Sequence, residues 1–168
     1  MSKRIAVGTD VALLCGMSDV ATASELNRIT STIVGAAIDV HRVFGPGLLE
    51  HAYAVCLLHE LAARGCRVEH QKSLPLVYRG ITIDCAYRAD LVVDGEVLIE
   101  VKAIDAVAPI HRRQVQTYLR LGDYRVGLLL NFGAATMKEG IERIVNRFPE
   151  GVRAGQVEGA KTDQRRDR

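Results

Sequence analysis

The sequence predicts a single α/β domain with the order two helices, a group of strands, a helix, a strand and a last helix. Two observations lead to this class. The chain has 168 residues, with 48% apolar and 25% charged side chains, which is ordinary for one globular domain with a full core. Helix-like and strand-like hydrophobic patterns also succeed one another over residues 20–148, which we therefore predict to be the folded domain.

Two helices open the predicted domain. Thr22 and Glu25 have the spacing of a capping box, and apolar residues recur after them at helical intervals. Gly45-Pro46-Gly47 ends this first helix. A second helix is predicted over about Leu48–Arg64, because it carries one apolar stripe and a glycine follows it directly.

The middle of the chain is rich in strand signals separated by turn residues. The predicted strands are Arg67–Gln71, Leu74–Tyr78, Ile81–Val93 and Val97–Ala103. Pro109 opens a third helix that reaches about Leu121. An almost continuous apolar run then indicates a buried strand at Arg125–Phe132. Ile141–Val145 suggests a final short helix.

Both ends of the chain are predicted to be peripheral. Residues 1–19 form an N-terminal extension, and because Met17 precedes the first convincing helix, residues 1–16 would be added by an alternative start. Residues 149–168 are polar and aperiodic, which predicts a disordered basic tail. Residues 151–168 hold five basic and three acidic side chains, which accounts for the whole net charge of +2. Extensive nonspecific binding of duplex is therefore not implied.

Composition also bears on the cellular compartment. No apolar run approaches the roughly 20 residues of a membrane span. The four cysteines, Cys15, Cys56, Cys66 and Cys85, show no C-x-x-C spacing. We expect a reduced, cytoplasmic protein.

The pattern that bears most directly on chemistry is Asp90 followed by Glu100-Val101-Lys102. Residues two apart on a strand share a face, so Glu100 and Lys102 project together. Two carboxylates can hold a hard divalent cation, and an adjacent ammonium can bind a nucleophilic water or a phosphate oxygen. Taken alone, the spacing is better explained by a solvated face of an edge strand.

The loop between the two strands decides whether these residues share a site. A two-residue Asp94-Gly95 loop would place Asp90 opposite Ile99, on the face away from Glu100. A three-residue loop, Asp94 to Glu96, with Gly95 left-handed, places Asp90 opposite Glu100. We predict the three-residue loop.

Three more polar residues are candidates for the same pocket. Glu50 precedes the apolar stripe of the second helix and is expected to point inward, although an acid favoured by the helix dipole is the simpler explanation. Gln114 and Tyr118 lie four apart on the third helix and so share a face. Of the five histidines only His111 lies close to these residues in sequence, and none has a ligand spacing.

Several motifs together resemble the GxxExxY proteins, a family of the PD-(D/E)xK nuclease-like superfamily. The resemblance covers about residues 25–146 and rests on these segments: Gly47-Leu48-Leu49-Glu50-His51-Ala52-Tyr53, residues 84–91, residues 99–103, Gln114 with Tyr118, and residues 127–133. It implies a central mixed sheet flanked by helices, the restriction-endonuclease-like core. Ala89 stands where the superfamily usually has proline.

The resemblance implies a metal-dependent nuclease acting on DNA or RNA. Asp90 and Glu100 match the signature acids, Lys102 the lysine, and Glu50 the helical acid. These acids, with the Val101 carbonyl, are expected to hold one or two Mg²⁺ or Mn²⁺. Gln114 and Tyr118 match a Q-x-x-x-Y element and are expected to orient the nucleic-acid end or Lys102.

The main alternative is a catalytically silent accessory module that keeps the nuclease fold, which the near-neutral core favours. A toxin-type or defence-linked nuclease is a third interpretation. The sequence leaves open DNA or RNA, endo- or exonucleolytic cleavage, the number of metals, and the oligomeric state.

Overall fold

The computed structural model describes residues 21–147, with the side chains of residues 85 and 86 left out. Its elements are α1 (Ala23–Phe44), α2 (Glu50–Ala63), β1 (Val68–Tyr78), β2 (Ile81–Val93), β3 (Val97–Lys102), α3 (Pro109–Leu121), β4 (Val126–Asn131), α4 (Met137–Gly140) and β5 (Ile141–Val145). The predicted extension at residues 1–19, with its alternative start, and the predicted tail at residues 149–168 lie outside the described part of the chain.

The five strands form one mixed sheet. Their order is β1-β2-β3-β4-β5, and all neighbouring pairs are antiparallel except the parallel pair β3–β4. A parallel pair needs a crossover connection, which α3 provides. The predicted α/β class with a central mixed sheet flanked by helices is therefore confirmed.

Each face of the sheet carries its own core. Val97, Ile99 and Val101 point to the face covered by α1 and α2, where they join the larger cluster of buried side chains. Leu98 and its neighbours on β2 and β4 point to the other face, where α3 covers a smaller cluster. This alternation follows from the two-residue period of a strand and leaves Glu100 and Lys102 on the α3 face.

Two helix predictions agree closely with the structure. The capping box at the start of α1 is formed, since the Glu25 backbone N–H donates to the Thr22 hydroxyl and the Thr22 N–H donates to the Glu25 carboxylate. Helix α3 has the predicted bounds, Pro109–Leu121.

Two predictions of elements were wrong. Ile141–Val145 is strand β5, paired antiparallel with β4, and the short helix α4 ends just before it. A segment of five residues with apolar ends is compatible with the period of a helix and with that of a strand. It forms a strand because it can pair with the free edge of β4. The predicted strands Arg67–Gln71 and Leu74–Tyr78 are one strand, β1, because β2 pairs with both segments and also with the two residues between them, Lys72 and Ser73.

In the described part of the chain, no helix combines the length and apolar character that crossing a membrane requires.

Candidate active site

The loop between β2 and β3 brings Asp90 to the face of Glu100. Leu91 pairs with Ile99 and Val93 with Val97, so the connection contains three residues, 94–96. Asp94 and Gly95 both have left-handed φ angles, of 53° and 76°. The predicted three-residue loop is confirmed and the two-residue alternative is wrong. The pairing of β2 with β3 ends at Leu91 and Ile99, and Asp90, the next residue of β2, lies close enough to Glu100 for their charges to interact.

Asp90 is held in place by the backbone of the strand it faces. Its Oδ2 accepts a hydrogen bond of 2.8 Å from the Val101 N–H, and its side chain is half-buried. The Val101 side chain itself lies in the larger core. Asp90 is thus fixed beside the backbone that carries both Glu100 and Lys102.

Glu100 and Lys102 form a buried ion pair at the centre of the sheet. The Lys102 Nζ donates to Glu100 Oε1 at 2.6 Å. Glu100 is only 3% exposed and the Lys102 side chain 14% exposed. The expected alternative, a solvated face of an edge strand, is therefore wrong, because β3 lies between β2 and β4. Glu100 Oε2 is buried and makes no hydrogen bond.

Burial is the largest influence on the pKa values of Asp90, Glu100 and Lys102. Burial, followed by the negative charge of Asp90, raises the pKa of Glu100 to about 7. Burial likewise raises the pKa of Asp90. Burial alone would lower the pKa of Lys102, but its hydrogen bond to Glu100 and the surrounding carboxylates outweigh that effect and raise the pKa. Lys102 is accordingly an ammonium at neutral pH.

Glu50 reaches the same place from the start of α2. It is exposed, so the expectation that it points into the core was wrong. As the first residue of the helix it instead fits the position that the helix dipole favours for an acid. Its Oε1 accepts a 3.3 Å hydrogen bond from the Ala103 N–H, and its charge acts on Asp90, Glu100 and Lys102. Glu50 therefore lies at the rim of the group.

The loop before Glu50 explains the spacing of Gly47, Glu50 and Tyr53. Gly47 has a backbone φ of 126°, a value that residues other than glycine rarely adopt. The Tyr53 hydroxyl donates to the Gly45 carbonyl at 2.5 Å and accepts from the Leu48 N–H at 3.1 Å. One buried phenol thus ties the loop to α2 and fixes where Glu50 begins.

Helix α3 contributes the linked pair Gln114 and Tyr118. The Gln114 Nε2 donates to the Tyr118 hydroxyl at 2.7 Å, which confirms that the two side chains share a face. Burial raises the pKa of Tyr118, and Glu100, Lys102 and Asp90 lie near enough to act on it electrostatically. The ring of Tyr87 on β2 packs against the Tyr118 ring at 5.5 Å between centroids.

One residue that supports the site, Asn131, had no role in the sequence prediction. Asn131 is 3% exposed, and its amide bonds both the N–H and the carbonyl of Ile104 and also the Gly133 N–H. The segment that follows Lys102 is thereby held to the end of β4. A buried polar residue at the end of an apolar strand was the available signal. His111, by contrast, serves the local cap, since its Nδ1 accepts from the Ala108 N–H.

The donors present suit a hard divalent cation. Across residues 21–147, no three His, Cys, Asp or Glu side chains are already arranged as a metal-binding group. The chemistry of the group nevertheless fits, because three carboxylates meet at one end of β3 and the buried Glu100 Oε2 lacks a partner. A cation would satisfy that oxygen and offset the repulsion between Asp90 and Glu100.

Comparison with known proteins agrees with this arrangement. No curated protein and no solved structure is significantly similar to the chain. The family model described as the PD-(D/E)XK nuclease superfamily matches residues 27–144, which is more than half of the sequence and includes all the residues of the candidate site. Nucleases of this superfamily generally depend on divalent metals and act on nucleic acid. The chain therefore belongs to the PD-(D/E)XK nuclease superfamily.

Proposed function

We propose that this protein is a Mg²⁺- or Mn²⁺-dependent nuclease that hydrolyses phosphodiester bonds in DNA or RNA. The observation that carries the proposal is the buried Glu100 Oε2, which has no hydrogen-bond partner although Asp90 and Lys102 lie beside it. An unsatisfied buried carboxylate oxygen costs about 1–3 kcal/mol, and that cost is removed when a cation binds.

Asp90 and Glu100 are the proposed principal metal ligands. Glu50 would bind directly or through water from the rim, and the Val101 carbonyl would add an oxygen. When bound, the metal would polarise the scissile phosphate and lower the pKa of a bound water. The Val101 N–H keeps one Asp90 oxygen in place, which leaves the other for a ligand.

Lys102 is proposed to hold the attacking water and to stabilise charge that develops on the phosphate. Because the pKa of Lys102 is raised, its ammonium acts as a hydrogen-bond donor and a positive charge and does not take up the water's proton. Its side chain is largely shielded from solvent, which strengthens its electrostatic effect on the transition state.

Gln114 and Tyr118 are proposed to orient the substrate end or Lys102. The raised pKa of Tyr118 keeps its phenol protonated, so the hydroxyl accepts from Gln114 and donates its own proton toward the site or the substrate. We also propose that the chain is of the GxxExxY type, since Gly47, Glu50 and Tyr53 have that spacing and the Tyr53 hydroxyl holds the loop that precedes Glu50. The thiols of Cys56 and Cys66 are free, which supports a cytoplasmic location.

A digestion panel tests the nuclease proposal. Single- and double-stranded DNA and RNA are incubated with the protein and Mg²⁺ or Mn²⁺, and the products are separated on denaturing gels. We expect cleavage of at least one substrate, abolished by chelator. Asp90→Asn and Lys102→Ala should lower the rate by at least about 100-fold while remaining folded.

Glu139→Gln is the matched control, because it removes an exposed carboxylate on α4 and should leave the rate unchanged. Calorimetric titration with Mn²⁺ adds a readout that needs no substrate. Binding by the wild-type protein should be lost in Asp90→Asn. Cleavage that persists in chelator, or full activity of Lys102→Ala, would contradict the mechanism. An absence of both metal binding and cleavage would favour the accessory module.

A further inference from the structure

The hairpin of β1 and β2 extends well beyond the rest of the sheet. Strand β2 pairs with β3 only over residues 91–93, whereas its pairing with β1 continues to Tyr78 and Ile81 at the turn. We call residues 76–83 the ribbon. In the part of the chain that the structure describes, no third strand pairs with the ribbon on either edge.

One face of the ribbon is wholly apolar. Leu76 pairs with Ile83, and Tyr78 pairs with Ile81, so these four side chains project to the same side. Leu74, two residues before Leu76 on the same strand, packs in the smaller core under α3. A register shift in the pairing separates Leu74 from Leu76. The last pair before the shift, Leu74 with Tyr87, lies on the α3 side of the sheet, where Tyr87 packs against Tyr118, and the ribbon follows directly after it.

This face is largely exposed to solvent. Tyr78 is 58% exposed, Ile81 65% and Ile83 45%. Together with the partly exposed Leu76 they present roughly 400 Å² of apolar surface, which is within the size range of apolar patches that often have a function. An isolated two-stranded ribbon is also only marginally stable in water. A partner that covers this face would remove both costs.

Charge decides which kind of partner fits. Arg79 is the only charged residue in the ribbon, and its guanidinium lies over the Tyr78 ring at 5.4 Å. One cation is too few to hold a nucleic-acid backbone by its phosphates. Apart from this guanidinium at the turn, the face is apolar, so it is complementary to another apolar surface, and a second copy of this chain supplies one.

We propose that the ribbon is a dimer interface, in which the apolar faces of two copies pack on each other around a two-fold axis. With the two ribbons antiparallel, the Arg79 side chains lie at opposite ends and do not repel. The two faces together would bury roughly 800 Å², about half of a standard interface, so the dimer should be weak and concentration-dependent.

Sedimentation velocity of the full chain from about 1 µM to about 200 µM tests the proposal. The wild-type protein should shift from the monomer mass toward the dimer mass over this range. Ile81→Lys should stay monomeric, with a dissociation constant raised at least about tenfold, because two ammonium groups would be buried in the interface. The readout is mass, so it is independent of nuclease activity.

Thr82→Lys is the matched control. It adds the same charge one residue away, on the opposite face of the ribbon, where Thr82 pairs with Val77. Leu49→Lys makes the same change at an exposed apolar residue far along the chain. Both variants should dimerise like the wild-type protein. A wild-type chain that remains monomeric throughout, or an Ile81→Lys variant that dimerises normally, would overturn the proposal.

Discussion

At the scale of single residues, Glu100 links the stability of the metal-free protein to pH. Its folded pKa of about 7 lies above the ordinary value of 4.5. A raised carboxyl pKa means that its contribution to stability is fully present below about pH 4.5 and is lost as the pH rises through 7. Ionised Asp90, whose pKa is also raised, adds to the same slope.

We therefore expect the free energy of unfolding in chelator to fall between pH 5 and pH 8. Glu100→Gln should make the free energy of unfolding less dependent on pH. Near pH 8 the variant should be more stable than the wild-type protein by at most about 3 kcal/mol. Urea unfolding at several pH values measures the difference. Glu139→Gln should follow the wild-type curve. Parallel curves for wild type and Glu100→Gln would show that burial does not shift this carboxyl.

Gly133 is a second residue whose side chain, or lack of one, matters to the site. A Cβ at this position would lie 2.5 Å from the Ile104 carbonyl oxygen and 2.7 Å from its nitrogen. Both atoms are backbone, so the segment after Lys102 would have to move.

Gly133→Ala should cost about 1–3 kcal/mol of stability and lower the cleavage rate, since Asn131 would lose its geometry with Ile104. Thermal unfolding and the digestion assay measure the two effects. Ala135→Ser, at an exposed position two residues on, is the control and should change neither. A fully stable and active Gly133→Ala protein would show that the segment adapts.

At the scale of elements, the loop between β2 and β3 determines the placement of Asp90. The loop is held by Arg67, whose N–H donates to the Asp94 carboxylate at 2.9 Å and whose guanidinium donates to the Asp94 carbonyl at 3.1 Å. Gly95 has a left-handed φ of 76°, a conformation that costs little for glycine or asparagine and more for a β-branched residue.

Gly95→Val should therefore lower the free energy of unfolding by about 1–2 kcal/mol, and Gly95→Asn by less than half of that. Chemical denaturation of the two variants side by side measures the contrast. Equal losses would mean that contact with the Arg67 guanidinium, which a Cβ would approach to 3.4 Å, outweighs the backbone conformation.

The helices and strands also show which features of the fold can be predicted from the sequence and which cannot. Local signals located α1 through its capping box, α3 through Pro109, and the three-residue loop through Gly95. The errors arose where contact with an element distant in sequence determines the secondary structure of a segment. Residues 141–145 are a strand because β4 offers them an edge, and a five-residue apolar pattern carries no information about that edge.

The same distinction applies to the candidate site. The alternation of Glu100 and Lys102 along one strand was predictable, since it depends only on the two-residue period. The burial of Glu100 was not, because it depends on β4 and α3 covering β3. The prediction that Glu50 points into the core was wrong for a related reason. Glu50 is the first residue of α2, and the start of this helix lies beyond the core that its later turns contact.

At the scale of the whole molecule, charge sets the expected mode of substrate binding. Residues 1–150 carry 17 basic and 17 acidic side chains, after five and three are assigned to residues 151–168. A body with no net positive charge is not expected to present an extended basic face to phosphates, so binding should release few counterions. We expect log Kobs to fall with log salt concentration with a slope of about −2 to −3.

Fluorescence anisotropy of a labelled oligonucleotide with the Asp90→Asn protein at several salt concentrations measures this slope. A slope near about −6 would instead require an extended basic groove and contradict the picture of a few local contacts.

The division of the molecule into two cores has a consequence for how its sequence can vary. The larger core, between the sheet and the α1–α2 pair, contains Val97, Ile99 and Val101 but none of the proposed site's side chains from β2, β3 or α3. The smaller core holds Leu98 and Leu129 directly beside Glu100, and it includes Tyr118. Substitutions that repack the first core away from Tyr53, whose hydroxyl positions the start of α2, should change stability while sparing the chemistry. Substitutions in the second core should change both. Random mutagenesis should therefore find most neutral variation under the helix pair, and that face of the protein is free to diverge while the α3 face is constrained.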